Sequence, residues 1–157
     1  MTDRYTLIEL TNMIMIENPE THEVLVEDRK NPKWPGVTFP GGHVEVGETV
    51  TQSVFREACE ETGLEIANPQ LMGIKEWPLE NGARYIVFLY KATEYSGTIH
   101  SGREGEIFWT TREKLLDGRY VLPNTFAEML PVFDQPEINE LALGARVDGE
   151  ERIISWQ

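Results

Sequence analysis

A chain of 157 residues with 40% hydrophobic and 26% charged side chains is long enough to bury one core of its own, so we expect a single domain over residues 1–157. Its formal charge of −13 argues against general affinity for nucleic acid or anionic membranes, both of which need clustered Lys and Arg. An acidic protein can still hold phosphates when divalent cations bridge its carboxylates to phosphate oxygens, so that class of ligand stays open. No stretch approaches the roughly 18 apolar residues of a membrane span, and the N-terminal run is too short and too interrupted for a signal peptide, so a cytoplasmic protein is expected. The single cysteine, Cys59, excludes an intrachain disulfide and reads as a small apolar residue packed on a helix.

In chain order, residues Tyr5 to Ile16 read as a long strand, Asn18-Pro19-Glu20 as a turn and Glu23 to Glu27 as a second strand. A polar loop from Asp28 to Gly36 leads to a short strand, Val37 to Phe39, that ends at Pro40-Gly41-Gly42. A helix follows over Val50 to Thr62. Strands over Gln70–Trp77 and Arg84–Ala92 are joined by a hairpin-type turn at Glu80-Asn81-Gly82. Ile107 to Trp109 is a further strand, and helices are expected over Thr111–Leu116 and Thr125–Phe133, the second capped by Asn124. Asp148-Gly149, set between β-favouring runs, predicts a terminal hairpin over residues 141–156. This mixture suggests an α/β (α+β) sandwich with helices packed on a mixed sheet.

The helix carries an electrostatic problem. Thr49 and Gln52 have capping-box spacing and Gly63 stands where a left-handed C-terminal cap belongs. At 3.6 residues per turn, Val50, Val54, Phe55, Ala58 and Cys59 form an apolar arc, and Glu57, Glu60 and Glu61 gather on another. Like charges three and four residues apart cost about 0.2–0.5 kcal/mol per pair, so this grouping reads either as a solvated acidic face or as carboxylates with a compensating partner.

With its upstream loop the segment reads Gly42, five residues, Glu48, seven residues, then Arg56-Glu57-Ala58-Cys59-Glu60-Glu61-Thr62-Gly63-Leu64. It resembles the signature of the Nudix hydrolases, and every fixed position of that pattern is matched between residues 42 and 64. Ala58 alone is smaller than the aliphatic residue usual at its place. The resemblance implies a Nudix-type α/β/α sandwich with a mixed β-sheet and hydrolysis of a nucleoside diphosphate linked to another group. It also implies Mg²⁺, with Mn²⁺ possible, because a hard cation with octahedral preference suits closely spaced carboxylates.

Carried over position by position, the resemblance makes Glu57, Glu60 and Glu61 metal ligands, or for Glu57 a general base, with the Gly41 carbonyl as a further ligand. Glu48 and Arg56 would orient the loop and helix through charge-assisted hydrogen bonds. A further carboxylate is expected ahead of a strand and tryptophan, where Glu104 is the first choice and Glu106 the second. The chain is similar to the MutT-type branch, which converts nucleotides such as 8-oxo-dGTP to the monophosphate and pyrophosphate. That likeness points to Phe39 packing on a base, Asn124 reading it, Arg29 contacting the phosphate or sugar side and Trp34 serving as a stacking lid. Ordinary core packing for Phe39, helix capping for Asn124 and a solvated charge for Arg29 are the competing readings.

Marks of other branches are absent from the sequence: the downstream proline of ADP-ribose hydrolases, the SQPWPFPQS-like array of NADH hydrolases and the tyrosine of dinucleoside polyphosphate hydrolases. An ADP-ribose, dinucleoside polyphosphate or RNA 5′-pyrophosphate hydrolase remains an alternative, as does a non-catalytic Nudix ligand-binding module, although such modules usually lose the box glutamates. The expected partner is a small nucleotide, without membrane or general nucleic-acid binding, and the protein is expected to be a monomer or homodimer.

Overall fold

The computed structural model describes residues 3–143 and the backbone of 153–156. Strand β1 (Ile8–Ile16) lies inside a mixed sheet and pairs in parallel with β7 (Arg84–Ala92), from Ile8 opposite Arg84 to Ile16 opposite Ala92. On its other side β1 pairs antiparallel with β4 (Gly41–His43), setting Asn12 opposite Gly42 and Met13 opposite Gly41. The sheet continues from β7 through the antiparallel β6 (Gln70–Pro78) to β10 (Glu140–Leu143), which runs parallel to β6, and to β11 (Ile153–Trp156), antiparallel to β10. The Asp148-Gly149 turn lies outside the described residues. A second sheet places β2 (Val24–Arg29) between β3 (Gly36–Thr38) and β9 (Gly105–Thr110), and β5 (Glu65–Ala67) pairs with β8 (Glu94–Ser96).

Alternation along β1 and β7 sends side chains to two cores. Ile14, Ile16, Tyr90 and Ala92 pack with Val54 and Ala58 of α1 (Val50–Thr62). Met15, Val87 and Leu89 pack on the opposite face with Met129, Val132 and Phe133 of α3 (Phe126–Asp134). Helices on both faces of a mixed sheet make the expected α/β/α arrangement. Each fully buried Leu, Ile or Val contributes about 1.5–3 kcal/mol, so the strands are held by side-chain burial on both faces more than by propensity.

Local chemistry sets the element ends. At α1 the Gln52 N–H donates to Thr49 Oγ1 (3.1 Å) while the Thr49 N–H donates to Gln52 Oε1 (2.8 Å), and Gly63 at φ 81° donates to the Cys59 carbonyl. Between β6 and β7 the expected turn closes through the Leu79 N–H on the Ala83 carbonyl, with Gly82 at φ 81°.

Several boundaries differ from the sequence reading. β1 begins at Ile8 because β7 begins at Arg84, which leaves Tyr5 93% exposed, without a pairing strand among the described residues. Asn124 does not cap α3: the N-cap residue is Thr125, in the left-handed region at φ 61°, and it makes no side-chain cap bond. The Phe126 N–H is instead satisfied by the Pro123 carbonyl at 3.1 Å. The short helix α2 (Arg112–Leu116) is capped by Thr111. On α1, Phe55 is 41% exposed and Cys59 is exposed, contrary to their expected place in the core, whereas Glu61 is buried. Seven residues of helix return to within about 20° of the starting direction, so Glu61 follows Val54 inward.

Candidate functional site

The acidic end of α1, the β4 turn and the inner end of β2 meet at a cavity of about 510 Å³, within the size range of small-molecule sites. Glu57, Glu61, Gly41, Gly42, Glu104, Arg29, Trp34 and Phe39 line it. The parallel β1·β7 pairing and the β1·β4 register fix where the Gly-Gly turn lies relative to the sheet. Gly42 has a steric reason to lack a side chain, since a Cβ there would overlap the Glu57 carboxylate.

Arg56 organises the outer half of the site. Its Nε and Nη2 grip Glu48 at 3.1 and 2.7 Å, Nη1 donates to Glu57 Oε1 at 2.8 Å and to Glu60 Oε2 at 3.1 Å, and Nη2 also reaches the His43 carbonyl at 2.9 Å. Glu48 in turn accepts from the Glu45 N–H at 2.7 Å. The guanidinium fork therefore fixes the loop ahead of α1 to the helix, as charge-assisted bonds of this kind do. These bonds hold the Glu48 carboxyl below the usual carboxylate range, and the carboxylates around Arg56 raise the guanidinium further. Burial pushes Glu57 upward, opposed by Arg56.

The inner half is made of three carboxylates, from β2, from α1 and from the loop just ahead of β9. One oxygen each of Glu27, Glu61 and Glu104 lie within 4.8 Å of one another. Glu27, on β2, is 1% exposed, and its Oε2 is buried without a hydrogen-bond partner. Glu61 accepts from the Gly41 N–H at 2.8 Å. Burial, and next the charge of Glu27, push the Glu61 carboxyl up to about 9. Burial likewise raises Glu27, with Arg29 acting against it. Gathered, desolvated carboxylates need a proton or a cation between them. The all-oxygen donor set, the orphaned Glu27 oxygen and the close spacing fit a hard divalent ion.

The structure brings together Glu57, Glu61, Glu104, Gly41, Arg29, Phe39 and Trp34 around one cavity and ties Glu48 and Glu60 to it through Arg56. Gly41 meets Glu61 through its N–H. Glu60 stays 61% exposed at its side chain and stands apart from the three-carboxylate group. Glu106 is exposed on β9, opposite Asp28, and does not line the cavity, in contrast to Glu104. Asn124 is exposed and also absent from the lining. Phe39 is buried in the core, with ring centroids 5.0 Å from Phe126 and 5.5 Å from Phe133, while it also borders the cavity. Arg29 keeps a buried Nε without a hydrogen-bond partner.

Glu27 was not foreseen. Its signal is a carboxylate continuing the buried run Val24–Val26 on a strand whose first four residues are all buried. Lys75, Trp77 and Tyr85, which line the far side of the cavity, were read only as strand residues.

The NUDIX domain family model matches residues 10–133. An uncharacterised Nudix hydrolase of Bacillus subtilis, YvcI, is 39% identical over 75 residues, which are 45% of this chain and 48% of that protein. The NAD-capped RNA hydrolase NudC of Pasteurella multocida is 39% identical over 61 residues, 39% of this chain and 23% of that protein. The chain thus matches about half the length of the first of these curated relatives and about a quarter of the second. Among solved structures, the mutator MutT protein of Bacillus halodurans superposes with a TM-score of 0.71 at 24% identity, covering 95% of this chain and 96% of that one. A MutT protein of Methanosarcina mazei Go1 gives 0.69 at 25% identity, covering 86% and 99%.

Proposed function

Because the chain belongs to the Nudix family of hydrolases, we propose that it is a divalent-metal-dependent pyrophosphohydrolase of nucleoside triphosphates. Water adds across a phosphoanhydride bond, and the products are the nucleoside monophosphate and pyrophosphate. The observation that carries this reading is a single cavity with a carboxylate cluster at one end and an aromatic wall at the other, the two ends a nucleotide needs. Within this reading the MutT-type branch and an oxidised purine nucleotide such as 8-oxo-dGTP are our preferred assignment, supported by the likeness of fold to MutT proteins.

Glu27, Glu61 and Glu104 would hold the ion, with the Gly41 carbonyl as a further ligand. Mg²⁺ or Mn²⁺ bound there would screen the phosphate oxygens and acidify water. Glu57 is assigned the proton of the attacking water, because burial raises its basicity above that of a solvated glutamate. Arg56 holds Glu57 at the cavity edge and draws Glu48 and Glu60 to the same guanidinium. Arg29 and Lys33 border the same cavity and supply positive charge for phosphate oxygens. Trp34, 41% exposed on the loop after β2, borders the cavity and is our candidate for the stacking lid.

The test is pyrophosphate and phosphate release with Mg²⁺ from 8-oxo-dGTP, the ordinary NTPs and dNTPs, ADP-ribose, NADH, a dinucleoside polyphosphate, and NAD-capped and 5′-triphosphorylated RNA. The highest kcat/KM on 8-oxo-dGTP, with pyrophosphate as product, supports the assignment. A higher value on a capped or triphosphorylated RNA would move the chain to the activity named for its NudC relatives.

A further inference from the structure

The cavity wall farthest from the carboxylates is built from one face of the central sheet. Lys75 and Trp77 on β6 share a parity with Tyr85 and Val87 on β7 and with Thr11 on β1, and all five line the cavity. Register places Lys75 opposite Val87, Val87 opposite Thr11 and Thr11 opposite His43, so these four form one row across the sheet. Three inter-strand steps of about 4.8 Å put β6 about 14 Å from β4 and its glycine turn. Trp77 and Tyr85, directly opposite each other in the next row, stack with centroids 4.4 Å apart and planes 11° from parallel. The Lys75 ammonium stands 5.4 Å from the Trp77 ring centroid, and the residue is only 4% exposed. A chain of formal charge −13 thus carries a buried cation in the wall of its cavity, beside aromatic rings and across the sheet from its glutamates.

We infer that Lys75 reads the base of the nucleotide and selects a 6-oxopurine, that is, a guanine-type ring, over adenine. This inference rests on the reading of the cavity as a nucleotide site. With the phosphates at the carboxylate end, the base lies along the sheet toward β6, where the Trp77–Tyr85 wall offers apolar contact to its flat surface. An ammonium has three donors and no acceptor. A guanine-type edge presents O6 and N7, two acceptors that a lysine can satisfy together, whereas adenine presents N7 beside the N6 amino donor. Lys75 therefore attracts the first edge and meets the second donor to donor. 8-Oxoguanine keeps the O6 acceptor but carries a proton on N7, so it offers the lysine one acceptor where guanine offers two, and the discrimination argued for Lys75 is that between guanine and adenine.

The experiment is calorimetric titration of dGMP and dAMP, which lack the anhydride bond, into the Mg²⁺-loaded wild-type protein and into Lys75→Met and Lys75→Gln. The wild type is expected to bind dGMP about tenfold or more tighter than dAMP. Lys75→Met, close in volume, should bring the ratio toward one, and Lys75→Gln, which can both donate to N7 and accept from N6, should move it toward dAMP. A wild-type preference for dAMP, a ratio unchanged in both variants, or equal weakening of both ligands, as a phosphate-gripping lysine would give, overturns the inference. Pyrophosphate release from dGTP and dATP by the same proteins judges the functional reading separately. Turnover with a ratio indifferent to Lys75 would sink the base reader alone. A responsive binding ratio without triphosphate turnover would sink the hydrolase assignment and uphold the base reader.

Discussion

Raising the pH of the metal-free protein from about 6 to about 8 is expected to destabilise it through Glu61. Its carboxyl is pushed from the ordinary 4.5 up to about 9 by burial and by Glu27, so the folded state retains a proton that the unfolded chain releases. The sign follows directly: a group raised in the folded state costs nothing below about 4.5, costs progressively more as pH climbs, and reaches its full cost above about 9. For one proton the slope is about 1.36 kcal/mol per pH unit, hence about 2.7 kcal/mol over two units. For a domain of this size that is a drop in Tm of roughly 5 to 11 °C. The assay is thermal unfolding in EDTA across this range, comparing wild type with Glu61→Gln, which keeps the shape and cannot ionise. The wild-type slope should exceed that of the variant by most of this amount. Saturating Mg²⁺ should flatten it, since a cation bound to the ionised carboxylates gains affinity with pH over the same window. Equal slopes in wild type and Glu61→Gln would refute the assignment of a protonated carboxyl to the inner cluster.

Arg56→Lys retains one charge but loses the fork that spans Glu48, Glu57 and Glu60, so kcat/KM measured at saturating Mg²⁺ should fall about 10- to 100-fold, in the range seen for groups that orient metal ligands. Gly42→Ala drives a Cβ into the Glu57 carboxylate and should lower activity far more than it lowers Tm; steady-state kinetics beside a melting curve separates the two. Phe39→Ala empties a site packed against Phe126 and Phe133 and should cost about 3–5 kcal/mol in urea unfolding, whatever its effect on substrate affinity. Glu27→Gln should weaken Mn²⁺ affinity about 10- to 100-fold by calorimetry, although the residue lies outside residues 42–64.

What the sequence disclosed, and what it hid, follows from the range of each interaction. The α1 cap, the Gly63 terminus and the Glu80-Asn81-Gly82 turn are decided within a few residues, and the structure reproduces them. The Arg56–Glu48 pair was legible because fixed spacing brings a loop back onto its own helix. Glu27 was hidden because its contacts with Glu61 and Glu104 come from separate elements that only the fold assembles. Lys75 was hidden for a related reason: a lysine in a strand ordinarily faces solvent, and only the β6–β7–β1 register turns it into the cavity. The inward turn of Glu61 could have been read from its angle to Val54, but grouping the three glutamates by charge obscured it. Asn124 went the other way, since a cap-favouring residue one position before the true cap, Thr125, ends exposed.

The most direct test of metal-dependent hydrolysis at this site is the rate of pyrophosphate release from 8-oxo-dGTP by wild type and Glu57→Gln, each with Mg²⁺ and with EDTA. The account predicts turnover only for the wild type with Mg²⁺, and a loss of several orders of magnitude in Glu57→Gln while its melting temperature stays within a few degrees. Release that persists in EDTA, or that Glu57→Gln leaves unchanged, would contradict it.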